Sequence, residues 1–337
     1  MKVLHVGPKN YPPSHGGTER VVYNIVSNSD DIESHIMVEF SQKVQNNISV
    51  LPKPYLKRLR FILDYVKEKE IDIVHFHNET YIPLALLYSF INKKNVVTIH
   101  GCHFTNPKYN FIQRFFILFF DIVGAMILPR LVFCSEVDKN KFRKLVPFRK
   151  LYYVPNGVKT PMLNITNNED KINSIVYLGR ISPEKNLLLL IDEADKAKVS
   201  LHIYGAFDDR RPIFNELVKK ALKNSDYAVW KGSVDYSEVI STLNKYDTFI
   251  YPSVSEGLPM SVLEAASSGL KLILSDIPQH KVLNFPSVNY IKTNSFSLGE
   301  LTNDIDGKEN KKHVEVNYSI DRMVNEYKVI YKSLLYE

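Results

Sequence analysis

Tyr251-Pro252-Ser253-Val254-Ser255-Glu256-Gly257-Leu258-Pro259-Met260-Ser261-Val262-Leu263-Glu264-Ala265 is the stretch whose reading decides the fold. The apolar run Thr248–Tyr251 has strand length, a Pro/Ser/Gly loop follows it, and Pro259, suited to a first helical turn, opens an apolar helical run. Strand, loop and helix in that order are half of a βαβ unit. The same alternation continues in both directions. Strands are predicted at Lys2–Val6, His35–Phe40, Ile71–Phe76, Val96–His100, Leu131–Cys134 and Leu151–Val154, and again at Ser174–Leu178, Leu201–Tyr204, Ala228–Lys231 and Leu272–Leu274. They are rich in Val, Ile and Leu with little polar alternation, which predicts parallel sheets covered on both faces by helices, an α/β chain.

At 337 residues the chain exceeds what one core usually supports, so two domains are expected. Pro155-Asn156-Gly157-Val158-Lys159-Thr160-Pro161 and the polar stretch Asn164–Asn173 break both periodicities and mark the boundary. The reading is a first domain over 1–160, a second over 161–318, and a terminal segment 319–337. The apolar spacing of Met323, Tyr327, Ile330, Tyr331 and Leu334 makes that segment a helix. The C-terminal strand ends of two such domains would face a shared cleft.

With 45% hydrophobic and 24% charged residues the composition excludes a collagen-like or wholly disordered chain. Two cysteines, Cys102 and Cys134, are too few for a disulfide framework or a four-thiolate zinc site and point to a reducing compartment. The apolar run Met1–Val6 reaches Gly7-Pro8 too soon for a signal peptide. Up to Pro161 there are 22 Lys+Arg against 13 Asp+Glu, and beyond it 21 against 24. A basic first half suggests an anionic partner, and no nucleic-acid motif accompanies the charge.

Four places carry candidate chemistry. After the first strand, Gly16-Gly17 lets backbone N–H groups approach an anion at a helix start, although a plain strand-to-helix connection explains it equally well. His75, His77, His100 and His103 cluster at strand ends. No further cysteine or paired carboxylate joins them, so no metal site is expected, and His100 is the histidine placed in the cleft. Arg180 and Lys185 flank the turn after Tyr177-Leu178-Gly179, where two cations and helix N–H groups can converge on one diphosphate. Glu256 lies on the loop and Glu264 about two helical turns on, roughly on one side. One carboxylate suits sugar hydroxyls and the other a ribose, with the N–H groups of Leu258 and Met260 near phosphate. The ordinary alternative is a Glu that complements the helix dipole and a second, solvated Glu.

Taken together, Gly16-Gly17, His100-Gly101, Val154-Pro155-Asn156-Gly157-Val158, Gly179-Arg180 to Lys185-Asn186, Gly232-Ser233-Val234, and Pro252-Ser253 to Glu264-Ala265 with Gly269 resemble the retaining nucleotide-sugar glycosyltransferases of family 4. The resemblance implies an α/β chain of two Rossmann-like domains facing a central cleft, the GT-B fold. It implies an acceptor-binding first domain, a nucleotide-sugar-binding second domain, and a terminal helix packing back on the first. His100 and Glu256 would be the catalytic, sugar-contacting pair. Gly16, Gly17, Arg180, Lys185, Val234, Gly257, Leu258, Met260 and Glu264 would bind the donor. No metal or other cofactor is expected, because the one Asp-x-Asp pair, Asp304-Ile305-Asp306, lies outside these motifs.

The expected function is transfer of a sugar from a UDP- or GDP-sugar to a glycan acceptor carried on polyprenyl diphosphate, in bacterial surface polysaccharide assembly. A sugar-nucleotide epimerase or hydrolase on the same scaffold, or an inactive nucleotide-sugar-binding assembly protein, are the rivals. Pro54–Leu63, with Lys53 before it, joins basic and apolar residues at helical spacing, and Phe111–Leu128 is apolar and aromatic but holds Gln113, Arg114 and Asp121. Those charges speak against a membrane span, leaving a core helix or an interfacial one. An anionic membrane surface is therefore an expected partner, with the protein cytoplasmic and peripherally attached.

Overall fold

The computed structural model describes residues 1–13, 17–40, 47–102, 110–160, 172–300 and 305–336. Gly16, His103, Asp304 and most of the polar stretch after Pro161 lie outside them. The chain divides into two compact units, one of 1–157 with 320–337 and the other of 158–319.

The first unit runs β1 (Lys2–Val6), α1 (Gly17–Ser27), β2 (Glu33–Val38), β3 (Ile48–Val50), α2 (Tyr55–Lys69), β4 (Ile73–His77), α3 (Ile82–Ser89), β5 (Asn95–Ile99), α4 (Phe111–Ile127), β6 (Arg130–Phe133), α5 (Glu136–Leu145) and β7 (Tyr152–Tyr153). Its sheet has the order β3-β2-β1-β4-β5-β6-β7, and the strands are parallel. The second unit runs β8 (Ile175–Leu178), α6 (Leu187–Ala197), β9 (Leu201–Tyr204), α7 (Pro212–Asn224), β10 (Ala228–Trp230), α8 (Val239–Leu243), β11 (Thr248–Tyr251), α9 (Met260–Ser267), β12 (Lys271–Ser275), α10 (Pro278–Lys281), β13 (Asn289–Ile291) and α11 (Gly307–Asn317). Its parallel sheet has the order β10-β9-β8-β11-β12-β13. Both sheets grow outward from their first strand in one direction and then restart on its other side, the doubly wound Rossmann arrangement.

Several sequence boundaries shift. β2 begins two residues before His35, α1 begins at Gly17 rather than Arg20, and His100 lies just past β5. β3 and β13 were not predicted, since three residues are too few to show a period. Asp306 caps α11, its carboxylate accepting from the Lys308 N–H at 2.8 Å.

The two faces of the first sheet differ in chemistry. Pairing of His5 with His75 and of His77 with Thr98 puts alternate residues on opposite faces. On one face Leu4, Val6, Val74, Phe76, Val97 and Ile99 form a core with Ile62, Leu84 and Ala125 of α2, α3 and α4. On the other, His5, His75, His77 and Thr98 make a buried polar seam. The terminal helix α12 (Ile320–Leu335) closes this seam with two tyrosines. The Tyr331 hydroxyl bonds His75 Nδ1 at 2.7 Å, Thr98 Oγ1 bonds His75 Nε2 at 2.7 Å, and the Tyr327 hydroxyl bonds Thr98 at 3.1 Å. An ion pair from Lys328 to Asp31 fastens the helix from outside.

Helix α4 is split between its two sides. Asn110 and Gln113 form a capping box at its start, and Arg149 donates to the carbonyls of Ala125 and Leu128 at its end, at 3.1 and 2.9 Å. Gly124 faces α3 so closely that a Cβ would sit 2.7 Å from Ile82 Cγ2. Asp121 is buried on this inner side, where burial and the neighbouring Glu79 carboxyl push it up to about 10. The outer side carries Phe111, Phe115 and Phe119 at 84, 60 and 52% exposure. A core-helix reading of Phe111–Leu128 therefore fails for half of the helix. No helix among the described residues is long and apolar enough to cross a membrane.

Burial pushes His5 down to about 3 and His100 to about 4, and drives His75 and His77 well below the ordinary 6.5. Below pH 6.5 the unfolded chain therefore binds more protons than the folded one, and stability falls as pH drops toward 4. His5 alone forfeits on the order of 2 kcal/mol at pH 5. The urea midpoint is expected to fall steeply between pH 7 and pH 5, and less steeply in His5→Asn. An equal slope in both proteins contradicts this burial.

Candidate functional site

In the second sheet β8 lies between β9 and β11, the strands from which the chain winds in opposite directions. At such a switch point the loops after the two central strands part and leave a ligand crevice at their C-terminal ends. Parallel pairing of Ile175 with Thr248 and of Val176 with Phe249 sets those two loops side by side. One carries Arg180 and Lys185; the other carries Glu256. A backbone bond from the Val254 N–H to the Glu184 carbonyl, 2.9 Å, ties them together.

There Lys185 Nζ donates to Glu256 Oε1, with both side chains about nine-tenths buried. The ammonium also sits 4.9 Å from the centre of the Tyr251 ring, which stacks on Tyr177 at 5.4 Å. Close backbone approach makes this possible. A Cβ on Gly179 would meet the Tyr177 hydroxyl at 2.7 Å, and one on Gly205, at φ +150°, would meet the Gly179 carbonyl oxygen at 1.8 Å. Asn186, left-handed at φ 59°, turns the chain into α6 and donates to the Thr293 carbonyl at 2.8 Å. The result is a fixed ammonium and carboxylate, each offsetting the other's desolvation.

The other expected residues of the second unit are placed differently. Arg180 does not join Lys185; its guanidinium reaches Glu184 at 3.5 Å and is half exposed. Each of the two cations is thus paired with a carboxylate, Arg180 with Glu184 and Lys185 with Glu256. Pro259 is the cap before α9 and not its first residue. Leu258 and Met260 are buried there, and Gly257 is half-buried in the loop. Glu264 is buried within α9, which excludes a solvated outer-face role. Val234 lies in the irregular segment between β10 and α8, half-buried.

The sequence reading missed His280. The Ser275 carbonyl can only accept, so His280 Nδ1 donates to it at 2.9 Å, leaving Nε2 a bare acceptor buried without a partner. The ring lies 6.0 Å from that of Tyr251. Burial lowers its pKa, the Glu256 carboxylate opposes this and Lys185 adds to it. No short-range spacing announces a residue that reaches the pair from α10.

In the first unit, Gly17 opens α1 at the surface, where a Cβ would meet no atom within 4 Å, so packing does not require the glycine. His100 is half-buried past β5, its Nε2 3.5 Å from His77 Nδ1. Ligand atoms of His5, His75 and His77 lie within 4.8 Å of one another. Both nitrogens of His75 are engaged by hydroxyls, and His5 Nδ1 and His77 Nε2 are bonded to each other at 3.0 Å, an arrangement of mutual hydrogen bonding.

Because removing one partner strands the other charge, Lys185→Met is expected to lose more stability than Lys185→Met with Glu256→Gln, a coupling of about 1–3 kcal/mol. Both variants should lose activity by ~10²-fold or more if the pair serves the reaction. Additive stability losses in chemical denaturation would contradict the pairing.

Residues 15–160 match the family Glycosyltransferase Family 4, and residues 159–295 match Glycosyl transferases group 1. An Escherichia coli UDP-Gal:alpha-D-GlcNAc-diphosphoundecaprenol alpha-1,3-galactosyltransferase is 26% identical over 74% of this chain and 68% of its own. The Staphylococcus aureus capsular polysaccharide biosynthesis glycosyltransferase CapH is 26% identical over 82% of each. Among solved structures, Anabaena HepE in complex with UDP aligns with TM-score 0.80 over 99% of this chain and 100% of that one, at 12% identity. Sucrose-phosphate synthase from Thermosynechococcus elongatus aligns with TM-score 0.78 over 100 and 99%, at 14% identity. With its two parallel sheets and these matches along its length, the chain belongs to the family 4 glycosyltransferases and has the GT-B fold.

Proposed function

We propose that the protein transfers a sugar from a UDP- or GDP-sugar to a glycan carried on polyprenyl diphosphate, with retention at the anomeric carbon, in assembly of a bacterial surface polysaccharide. The observation that carries this reading is the Lys185–Glu256 pair at the switch point of the second sheet. A buried ammonium beside the first turns of α6 and α9 suits a diphosphate leaving group. The adjacent carboxylate suits the hydroxyls of a sugar attached to it. As the diphosphate enters, Arg180 can leave its exposed pairing with Glu184 at little cost and add a second cation. Charge that develops on the departing phosphate is then met by cations and N–H dipoles, with no metal ion called for.

Among the described residues we assign no base to the side opposite the leaving group. Same-face attack, with the departing phosphate taking the acceptor proton, is the chemistry these residues support, and it retains the donor configuration. His100 is assigned to the donor sugar and Glu264 to the ribose, with Gly17, Val234, Gly257, Leu258 and Met260 lining the donor. Relatives that act on diphosphoundecaprenol and diphosphopolyprenol support the acceptor class.

The acceptor class also explains the outer side of α4. That side of the helix exposes Phe111, Phe115, Phe116 and Phe119, and the same unit exposes Leu87, Phe90 and Ile91 with Lys93 and Lys94 after them. An apolar aromatic helix face in a unit that also exposes lysines suits the interface of an anionic bilayer at the cytoplasmic face. Of the basic residues on α2, Arg58 is committed to the Pro52 carbonyl and to Glu39, and Arg60 pairs with Asp64. Lys53 and Lys57 remain exposed for lipid.

One assay tests the whole reading: transfer from UDP- and GDP-sugars to a polyprenyl-diphosphate glycan in anionic vesicles with excess EDTA. An α-configured product by anomeric NMR coupling, and loss of vesicle binding in Phe115→Asp with Phe119→Asp, are expected. A β product, dependence on added Mg²⁺ or Mn²⁺, or undiminished binding contradicts the corresponding part.

A further inference from the structure

The first unit has its own switch point, between β1 and β4, and there the polar seam ends in a run of three histidines. His100 Nε2 faces His77 Nδ1 at 3.5 Å, and His77 Nε2 faces His5 Nδ1 at 3.0 Å. His75 flanks the run, its ring centre 3.8 Å from that of His77, with both of its own nitrogens held by Thr98 and Tyr331. At the two ends of the run, His100 Nδ1 and His5 Nε2 are buried with no hydrogen-bond partner among the described residues.

Hydrogen counting fixes what such a run can do. A neutral imidazole has one N–H and one bare nitrogen, so three imidazoles in series make two N–H···N bonds and leave one N–H and one lone pair at opposite ends. The surplus N–H therefore lies on His5 Nε2 or on His100 Nδ1, both buried atoms. His5 lies inside β1 at 0% exposure. A buried donor without a partner costs more than an under-used acceptor and is rarer in folded proteins. His100 is half-buried just past the end of β5 and is followed by Gly101 at φ +156°, so of the two ends it is the one whose N–H an arriving ligand can satisfy. The favourable direction is therefore His5 donating to His77, His77 donating to His100 Nε2, and the surplus N–H standing on His100 Nδ1.

We propose that His77, backed by His5, is a positioning residue that locks His100 in the Nδ1–H tautomer, so that His100 presents a hydrogen-bond donor to an oxygen of the bound sugar. An isolated imidazole favours the other tautomer, so the preference has to come from the seam. This deepens the assignment of His100 to the donor sugar and rests on it. It also gives a reason for the polar face of the first sheet, which would otherwise weaken a core that Val or Leu could fill. The other tautomer would turn a bare nitrogen toward the sugar, able to accept from a hydroxyl but unable to donate to any of its oxygens.

The test is a two-bond ¹H–¹⁵N correlation spectrum of histidine-labelled full-length protein at pH 7.5, with the His100 signals assigned by their loss in His100→Gln. In the wild type, His100 is expected as the Nδ1–H tautomer. In His77→Phe, which keeps a ring but no hydrogen bond, it should shift toward Nε2–H, with kcat lowered ~10-fold or more and donor KM changed less. In His77→Gln the side-chain amide can accept from His5 and donate to His100, so both the tautomer and most of kcat should return. An Nε2–H tautomer in the wild type overturns the proposal without any variant, as does an unchanged tautomer in a folded His77→Phe. Separately, full activity in His100→Ala would remove the sugar assignment of His100 while leaving the tautomer measurement intact.

Discussion

The ion pair between Lys185 and Glu256 is the interaction around which the second unit is arranged. Two charges about nine-tenths out of water are tolerated only because each satisfies the other and Tyr251 lies beneath the ammonium. Holding them together requires the loops after β8 and β11 to meet. That in turn requires the strand order that makes β8 and β11 neighbours, and glycines at 179 and 205 where backbones nearly touch. A substituent at Gly205 would break this approach although the residue contacts neither charge. The pair is thus a consequence of topology, and the topology comes from a run of apolar strands that can be buried only in parallel sheets.

The first unit solves a different problem with the same sheet order. One face of its sheet is an ordinary apolar core, whereas the other carries histidines and a threonine that must be satisfied internally. The terminal helix supplies what the strands lack, two tyrosine hydroxyls more than two hundred residues away in sequence. Return of this helix to the first unit is therefore required by hydrogen bonding as well as by burial of Met323, Tyr327 and Leu334. Helix α4 shows a third balance: its one acid faces inward and is neutralised by burial beside Glu79, while the outer side, apart from Gln113 and Arg114 in its first turn, is apolar and aromatic.

Much of this was legible in the sequence, because strand-length Val/Ile/Leu runs alternating with amphipathic stretches admit few folds. The segment Tyr251–Ala265 also read correctly as strand, loop and helix, since its Pro and Gly residues act locally. What could not be read was long-range pairing. Lys185 and Glu256 were each recognised, but 71 residues separate them, and only the sheet order shows that they bind each other rather than Lys185 joining Arg180. His5 drew no attention, because its meaning depends on its register against His75 and on the His77 ring beyond. His280 was missed for the same reason: it reaches the pair from another strand's end. The three-residue strands β3 and β13 carry too little pattern to be seen without the strands they lie against.

The most direct test of the central claim, that Lys185 is held in place to receive a diphosphate, is calorimetric titration of the wild type and Lys185→Met with UDP and with GDP. We expect one of the two nucleotides to bind the wild type, and the variant to bind it at least ~10-fold more weakly, since a buried charge-assisted contact to phosphate is lost. Equal affinity of the folded variant for that nucleotide would contradict the claim.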